Sequence, residues 1–285
     1  MDGLLIIDKE KDYTSRDVVN IVSKVFKTKK VGHTGTLDPL ATGVLVICVN
    51  RATKLVELLS SLDKEYIATF EFGTLTDTLD NTGNIIKDED IHIKKEELEK
   101  VLKNMIGNYS QTVPIYSAVK VNGRKLYEYA RNNEEVTLPV HDVNIYSLDL
   151  LDIKYVDNKT IATIKCHVSK GTYIRSLGND IASNLNTCAI MTDLRRTKQG
   201  KFLIEKAIKI NEVNSDTKLI DINDYLDYPR IKLDDKLYTY VKNGRYIDNI
   251  YNEDIVSFVT EDNNILAIYK SSEDGKLLKP FKMFL

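Results

Sequence analysis

Apolar and polar positions along the chain follow two different periods. Residues 3–7 carry Leu4, Leu5, Ile6 and Ile7 in a short continuous run, the pattern of a buried strand. Thr14-Ser15-Arg16-Asp17 is a capping-box pattern with Asp in place of the commoner Glu, and it predicts a helix. Val18, Val19, Ile21, Val22, Val25 and Phe26 would form that helix's apolar face. Residues 44–49 (Val-Leu-Val-Ile-Cys-Val) read as a second buried strand. Residues 65–72 alternate, with Tyr66, Ala68, Phe70 and Phe72 on one side. A charged amphipathic helix spans 94–106 and is closed by Gly107. Residues 143–154 and 160–168 read as a strand pair across Asp157-Asn158-Lys159, and Ile174, Leu177, Ile181 and Leu185 mark a helical stripe.

Near residue 211 the pattern changes. Residues 212–235 are acidic and weakly periodic, as expected for a linker with short helices. Three short β-type runs follow, at 237–241, 255–259 and 265–269, separated by turn-forming residues. The expected fold class is α+β, with a mixed or antiparallel sheet rather than a doubly wound one. Residues 1–230 form the larger expected domain and residues 231–285 a small all-β one.

With 40 basic and 42 acidic residues, the net charge is −2. Bulk charge therefore does not hold this chain to nucleic acid. RNA binding would require the basic residues to be segregated in space. Three clusters offer that: Lys24, Lys27, Lys29 and Lys30; Lys120, Arg124, Lys125 and Arg131; and Lys165, Lys170, Arg175, Arg195, Arg196, Lys198 and Lys201. The three cysteines lie far apart without a CxxC, which points to a reducing compartment. The four histidines show no ligand spacing, so no zinc site is expected. The start of the chain is too short for a signal peptide and no run reaches transmembrane length, so a cytoplasmic location is the expectation.

Gly32-His33-Thr34-Gly35-Thr36-Leu37-Asp38-Pro39-Leu40-Ala41-Thr42-Gly43 is the most distinctive segment. One carboxylate stands among small, hydroxylic and glycine residues, directly before the apolar run at 44–49. Pro39 biases Asp38 toward an extended backbone, and the glycines allow a ligand close approach. An Asp-Pro pair near glycines is by itself an ordinary turn. The segment is no Walker loop, since no Lys follows the glycines, and GxGxxG is absent.

This segment strongly resembles the signature of the TruB family of pseudouridine synthases. Five further resembling strings follow in the family's order: Asp63-Lys64-Glu65-Tyr66; Thr76-Asp77-Thr78-Leu79-Asp80; Pro114-x-x-Ser117-Ala118-x-Lys120-x-x-Gly123; Ser169-Lys170-Gly171-Thr172-Tyr173-Ile174-Arg175; and Leu194-Arg195-Arg196-Thr197. The resemblance covers nearly the whole chain. It implies conversion of uridine 55 in the T loop of tRNA to pseudouridine, without cofactor or metal. It also implies a PUA-like C-terminal domain on the acceptor-stem side of the tRNA, and a monomer with no obligatory protein partner.

By resemblance Asp38 is the nucleophile, a role that suits a carboxylate at a glycosidic bond. Arg175 is its cationic partner, and Tyr66 stacks on the flipped uracil. His33 fills the space the base vacates, Leu194 packs below the uracil, and Lys9 lies near the site. Lys170, Arg195 and Arg196 are expected to meet phosphates. Residues 115–135 would grip the T loop. One departure stands out. The family pattern is Asp-Lys-Pro-x-Gly, whereas this chain has Asp8-Lys9-Glu10-Lys11-Asp12. Two alternative functions are a tRNA-binding folding chaperone and the catalytic subunit of an RNA-guided synthase.

Overall fold

The computed structural model describes residues 2–284. Its centre is a mixed sheet. In spatial order the strands are Ile208–Lys209, Gly3–Lys9, Thr42–Val49, Ala189–Gln199, Lys64–Phe72, Lys159–Val168, Val140–Val156 and Gly107–Thr112. Most neighbours are antiparallel, but Thr42–Val49 and Ala189–Gln199 run parallel and pair only at Thr42–Arg195 and Gly43–Arg196. The sheet therefore parts near its middle, at the start of the Thr42–Val49 strand.

The two periods in the sequence follow from what covers each half of this sheet. Leu45, Ile47 and Val49 pack into one core with Val18, Val19 and Val22 of the Ser15–Val25 helix. Val44, Val46 and Cys48 pack into a second core on the opposite face. With both faces covered, every residue from Gly43 to Val49 is buried and the sequence cannot alternate. The Lys64–Phe72 strand is covered on one face only and alternates strictly. Thr14 and Asp17 make the expected reciprocal capping bonds.

A second sheet is built from Arg230–Lys232, Ile255–Val259, Ile265–Ser271, Leu277–Met283 and Ile247–Asp248. Val259, Ile265, Ile268 and Phe284 of this unit enter the core that contains Leu4, Ile6, Val44 and Val46. Arg51 donates to the carbonyl of Phe284 at 3.0 Å and Lys54 to that of Met283 at 2.5 Å. One expectation fails here. Residues 237–241 are not a strand but lie in the helix Asp235–Lys242. Asp234 caps that helix by accepting from the Leu237 amide at 2.7 Å. The cap overrides the β-type composition of Leu237 to Val241. Residues 189–199, charged in sequence and not anticipated as a strand, form a central one.

The Ile174–Ser183 helix crosses the sheet at Gly178. A Cβ there would lie 2.2 Å from the Phe70 ring. Gly178→Ala is expected to lower stability by about 1–3 kcal/mol through overpacking, although alanine is the better helix former. Denaturant unfolding of the two proteins measures the difference.

Candidate active site

The parting of the sheet opens into a cavity of about 470 Å³. Residues 34–38, Lys64, Tyr66, Tyr116, Ser117, Tyr127, residues 171–175, Met191, Leu194 and Arg196 are among its lining. Register explains the convergence. Arg196 pairs with Gly43 on one side and Tyr66 on the other, while Leu194 pairs with Ala68. Cross-strand partners share a face, so Leu194, Arg196 and Tyr66 point the same way. Lys64, two residues before Tyr66, shares that face.

Asp38 stands 40% exposed at this cavity. Its Oδ2 lies 3.2 Å from Nε of Arg175, whose side chain is only 9% exposed. The remaining guanidinium donors are also engaged. Nη1 donates to the carbonyl of Thr78 at 2.8 Å and Nη2 to that of Tyr116 at 3.0 Å. The Asp80 carboxylate lies 3.7 Å away and itself accepts from Thr78 Oγ1, Thr82 N and Thr82 Oγ1. Leu79, between Thr78 and Asp80, is held at φ +61°, an uncommon conformation for so bulky a side chain.

Arg175 is the second residue of its helix, and no side chain of that helix caps it. Gln111 of the Gly107–Thr112 strand does so from outside. Its Oε1 accepts from the Tyr173 amide at 2.7 Å and its Nε2 donates to the Tyr173 carbonyl at 3.1 Å. Ser176 donates to the Thr112 carbonyl at 3.1 Å. The helix start that aims Arg175 is thus stitched to the sheet edge.

The loop bearing Asp38 is held by side chains. Ser15 Oγ accepts from the Leu37 amide at 2.9 Å and donates to the Leu37 carbonyl at 3.1 Å. Arg196, 1% exposed, donates to the carbonyls of Val44 at 2.6 Å and Gly35 at 3.1 Å. Gln199 Nε2 donates to Thr34 Oγ1 at 2.7 Å. Lys9 is fully buried, and its ammonium donates to the carbonyls of Tyr13, Glu10 and Pro39. Burial pushes Lys9 down to about 8, against the opposing pull of Asp38 and Asp12. The Asp12 amide donates to the same Pro39 carbonyl at 2.8 Å. Asp12 sits at φ +70°. It stands where the family pattern has glycine and adopts the left-handed conformation that Asp tolerates better than most residues.

Asp38, Tyr66, Arg175, Leu194 and Arg196 thus meet at one cavity, and four other expected residues do not line it. Lys9 lies behind the Asp38 loop. His33, half-buried, accepts from the Gly35 amide at 3.4 Å, and burial lowers its pKa. Arg195 points to the opposite sheet face, as alternation requires, and forms a two-pronged pair with Asp8 at 2.9 and 3.0 Å. Lys170 is exposed beside the cavity-lining Gly171. The sequence reading missed Lys64, Asp80, Tyr116, Tyr127 and Tyr173. Strand alternation from Tyr66 back to Lys64 was the available signal for the first. Asp80 and Tyr173 were visible only as parts of family strings, and no local pattern marked Tyr116 or Tyr127. Cys48 and Cys166 are buried with their thiols pushed up to about 12, which removes them as nucleophiles.

Residues 23–174 match the family described as TruB family pseudouridylate synthase (N terminal domain). Over 287 residues the chain is 39% identical to a protein of Caldanaerobacter subterraneus named tRNA pseudouridine synthase B, covering 100% of this chain and 99% of that one. A Clostridium tetani protein of the same name is 40% identical, with 98% and 99% covered. A Fusobacterium nucleatum protein of that name is 50% identical over 72% of this chain and 70% of its own. Among solved structures, the crystal structure of a Cbf5-Nop10-Gar1 complex matches with a TM-score of 0.75 at 23% identity, covering 99% of this chain and 85% of that chain. That likeness bears on the fold.

Two outcomes follow from the way the loop is held. Asp12→Gly is expected to raise stability by about 0.5–1 kcal/mol, read by thermal or denaturant unfolding, because glycine adopts φ +70° without strain. Lys9 has a lower pKa folded than unfolded, so between pH 8 and 10.5 the unfolded chain binds the extra proton and stability rises with pH. Wild type should gain up to about 3 kcal/mol over Lys9→Met across that window. Unfolding curves at pH 7.5 and 10.5 measure it, and a constant difference between the two proteins would contradict it.

Proposed function

The chain belongs to the TruB family of pseudouridylate synthases and is a TruB-type tRNA pseudouridine synthase; we propose that its target is uridine 55 in the T loop. The observation that carries this reading is the Asp38–Arg175 pair, set across one cavity from Tyr66 and Leu194. A volume of about 470 Å³ suits one nucleoside and not a stacked run of bases.

The uridine leaves its stack to enter, which costs a few kcal/mol. Contact with the Tyr66 ring offsets this by about 1–3 kcal/mol. Leu194 and Met191 supply apolar surface beneath the base. Asp38 acts on the ribose, either at C1′ as nucleophile or by promoting elimination of the base. Arg175 aims the Asp38 carboxylate and balances its charge. The C1′–N1 bond breaks, the uracil turns, and C5 bonds to C1′. The proton lost from C5 and the proton gained at N1 balance, so the product is an isomer of the substrate and no net oxidant or reductant is consumed. Arg196 acts on this chemistry by fixing the backbone at Gly35 and Val44.

Residues 1–230 would carry the reaction. Residues 231–285 would meet the acceptor-stem side of the tRNA as a PUA-like module. We place the reaction in the cytoplasm and in a monomer. No helix among the described residues is long and apolar enough to cross a membrane.

Purified protein incubated with unmodified tRNA transcript should mark uridine 55, mapped by carbodiimide and primer extension. Asp38→Asn should abolish the mark while tRNA binding persists. Arg175→Met should lower the single-turnover rate about 100-fold or more, because it removes both the charge partner and the aim of Asp38. Binding without any mark by the wild type would favour a chaperone or a guided complex.

A further inference from the structure

Two cations on the cavity wall have no carboxylate paired with them among the described residues. Lys64 is 7% exposed, and its ammonium donates to the carbonyls of Ser60 at 2.9 Å and Leu62 at 2.6 Å. That leaves one of its three protons without a partner. Arg196 uses Nε and Nη2 on the carbonyls of Val44 and Gly35, and its Nη1 has no hydrogen-bond partner among the described residues. The two meet over Gly35. A Cβ at that position would lie 3.4 Å from Arg196 Nη1 and 3.6 Å from Lys64 Cε. Gly35 is thus the point of the signature loop that both cationic side chains approach, with Gln199 Oε1 3.9 Å from the same position.

The charges around Lys64 sharpen the point. Arg196 and Lys170 add positive potential, and Asp63 alone opposes them. Asp63 is itself engaged with His167. Asp38 faces Arg175 and acts on Lys9, not on Lys64. Burial and the neighbouring Arg196 push Lys64 down to about 8. Buried charge without a counter-charge is expensive, and an arriving anion relieves that cost. The anion that an RNA substrate brings into this cavity is its own backbone.

We propose that Lys64 and Arg196, with Lys170 at the rim, form a subsite for one backbone phosphate flanking the flipped uridine. This rests on the reading of the chain as a tRNA-modifying enzyme. Lys64 shares a strand face with Tyr66, so base and phosphate are gripped from one rigid segment. The phosphate receives the third Lys64 proton and the Nη1 donors of Arg196. These are charge-assisted bonds inside a partly dry pocket.

The test uses full-length protein and three T-arm RNAs: one unmodified, and two with a single neutral methylphosphonate, either 5′ or 3′ of the target uridine. Dissociation constants are measured for wild type, Lys64→Met and Lys64→Arg, with folding checked by circular dichroism. One of the two neutral linkages should weaken wild-type binding about tenfold. The same linkage should change Lys64→Met binding less than about twofold, because the partner is already gone. The slope of log K against log salt should fall by about 1 in Lys64→Met. Lys64→Arg should restore both the affinity and the sensitivity to that linkage. If Lys64→Met does not fold, the comparison moves to pH. The linkage effect should shrink from pH 7 to 10 in wild type, as Lys64 loses its proton, and hold constant in Lys64→Arg. Equal losses in wild type and Lys64→Met, or wild-type indifference to both linkages, overturn the subsite. A wild type that forms no pseudouridine in the unmodified RNA overturns the functional reading instead.

Discussion

The guanidinium of Arg175 is where the site is assembled. It contacts the carboxylate of Asp38, the carbonyls of Thr78 and Tyr116, and approaches Asp80. Three segments distant in sequence therefore owe their relative placement to one planar group. Such a group tolerates little exchange, because its fork of donors is fixed in direction and a lysine would supply a point charge instead. The strain at Leu79 and the borrowed cap from Gln111 make sense as consequences. The first positions a partner of Arg175, and the second fixes the helix start that carries Arg175.

A second constraint works alongside it. Residues 34–41 lie between strands and gain little from sheet or helix bonding, so their backbone is satisfied largely by side chains: Ser15, Lys9, Arg196 and Gln199. Unmet backbone groups in such a place would cost about 1–3 kcal/mol each. In the Asp8-to-Asp12 segment the proline and glycine of the family pattern are gone; Asp12 adopts the left-handed conformation that glycine takes freely, and its amide reaches Pro39.

Much of this was legible in the chain. The capping box at Thr14, the continuous run at 44–49 and the alternation at 65–72 each have a direct physical reading, and each forms the expected element. The family strings contain Asp38, Tyr66, Arg175 and Leu194, which line one cavity. What was hidden depended on tertiary context. Arg195 and Arg196 look equivalent in sequence, but strand alternation sends one to Asp8 and the other to the cavity wall. Residues 189–199 look like a solvated basic stretch because their burial comes from neighbours on both sides. Lys64 hid in an Asp-Lys-Glu run, the usual form of a surface turn.

The second sheet lends Val259, Ile265, Ile268 and Phe284 to the core beneath Val44 and Val46. Those strand residues follow directly on the loop that bears Asp38. Loss of residues 255–284 would therefore reach beyond the second sheet itself. It would strip the cover from the central sheet and hand the cell a client for chaperones and proteases. A chain lacking these residues should be lost through low abundance rather than act as an enzyme of reduced affinity.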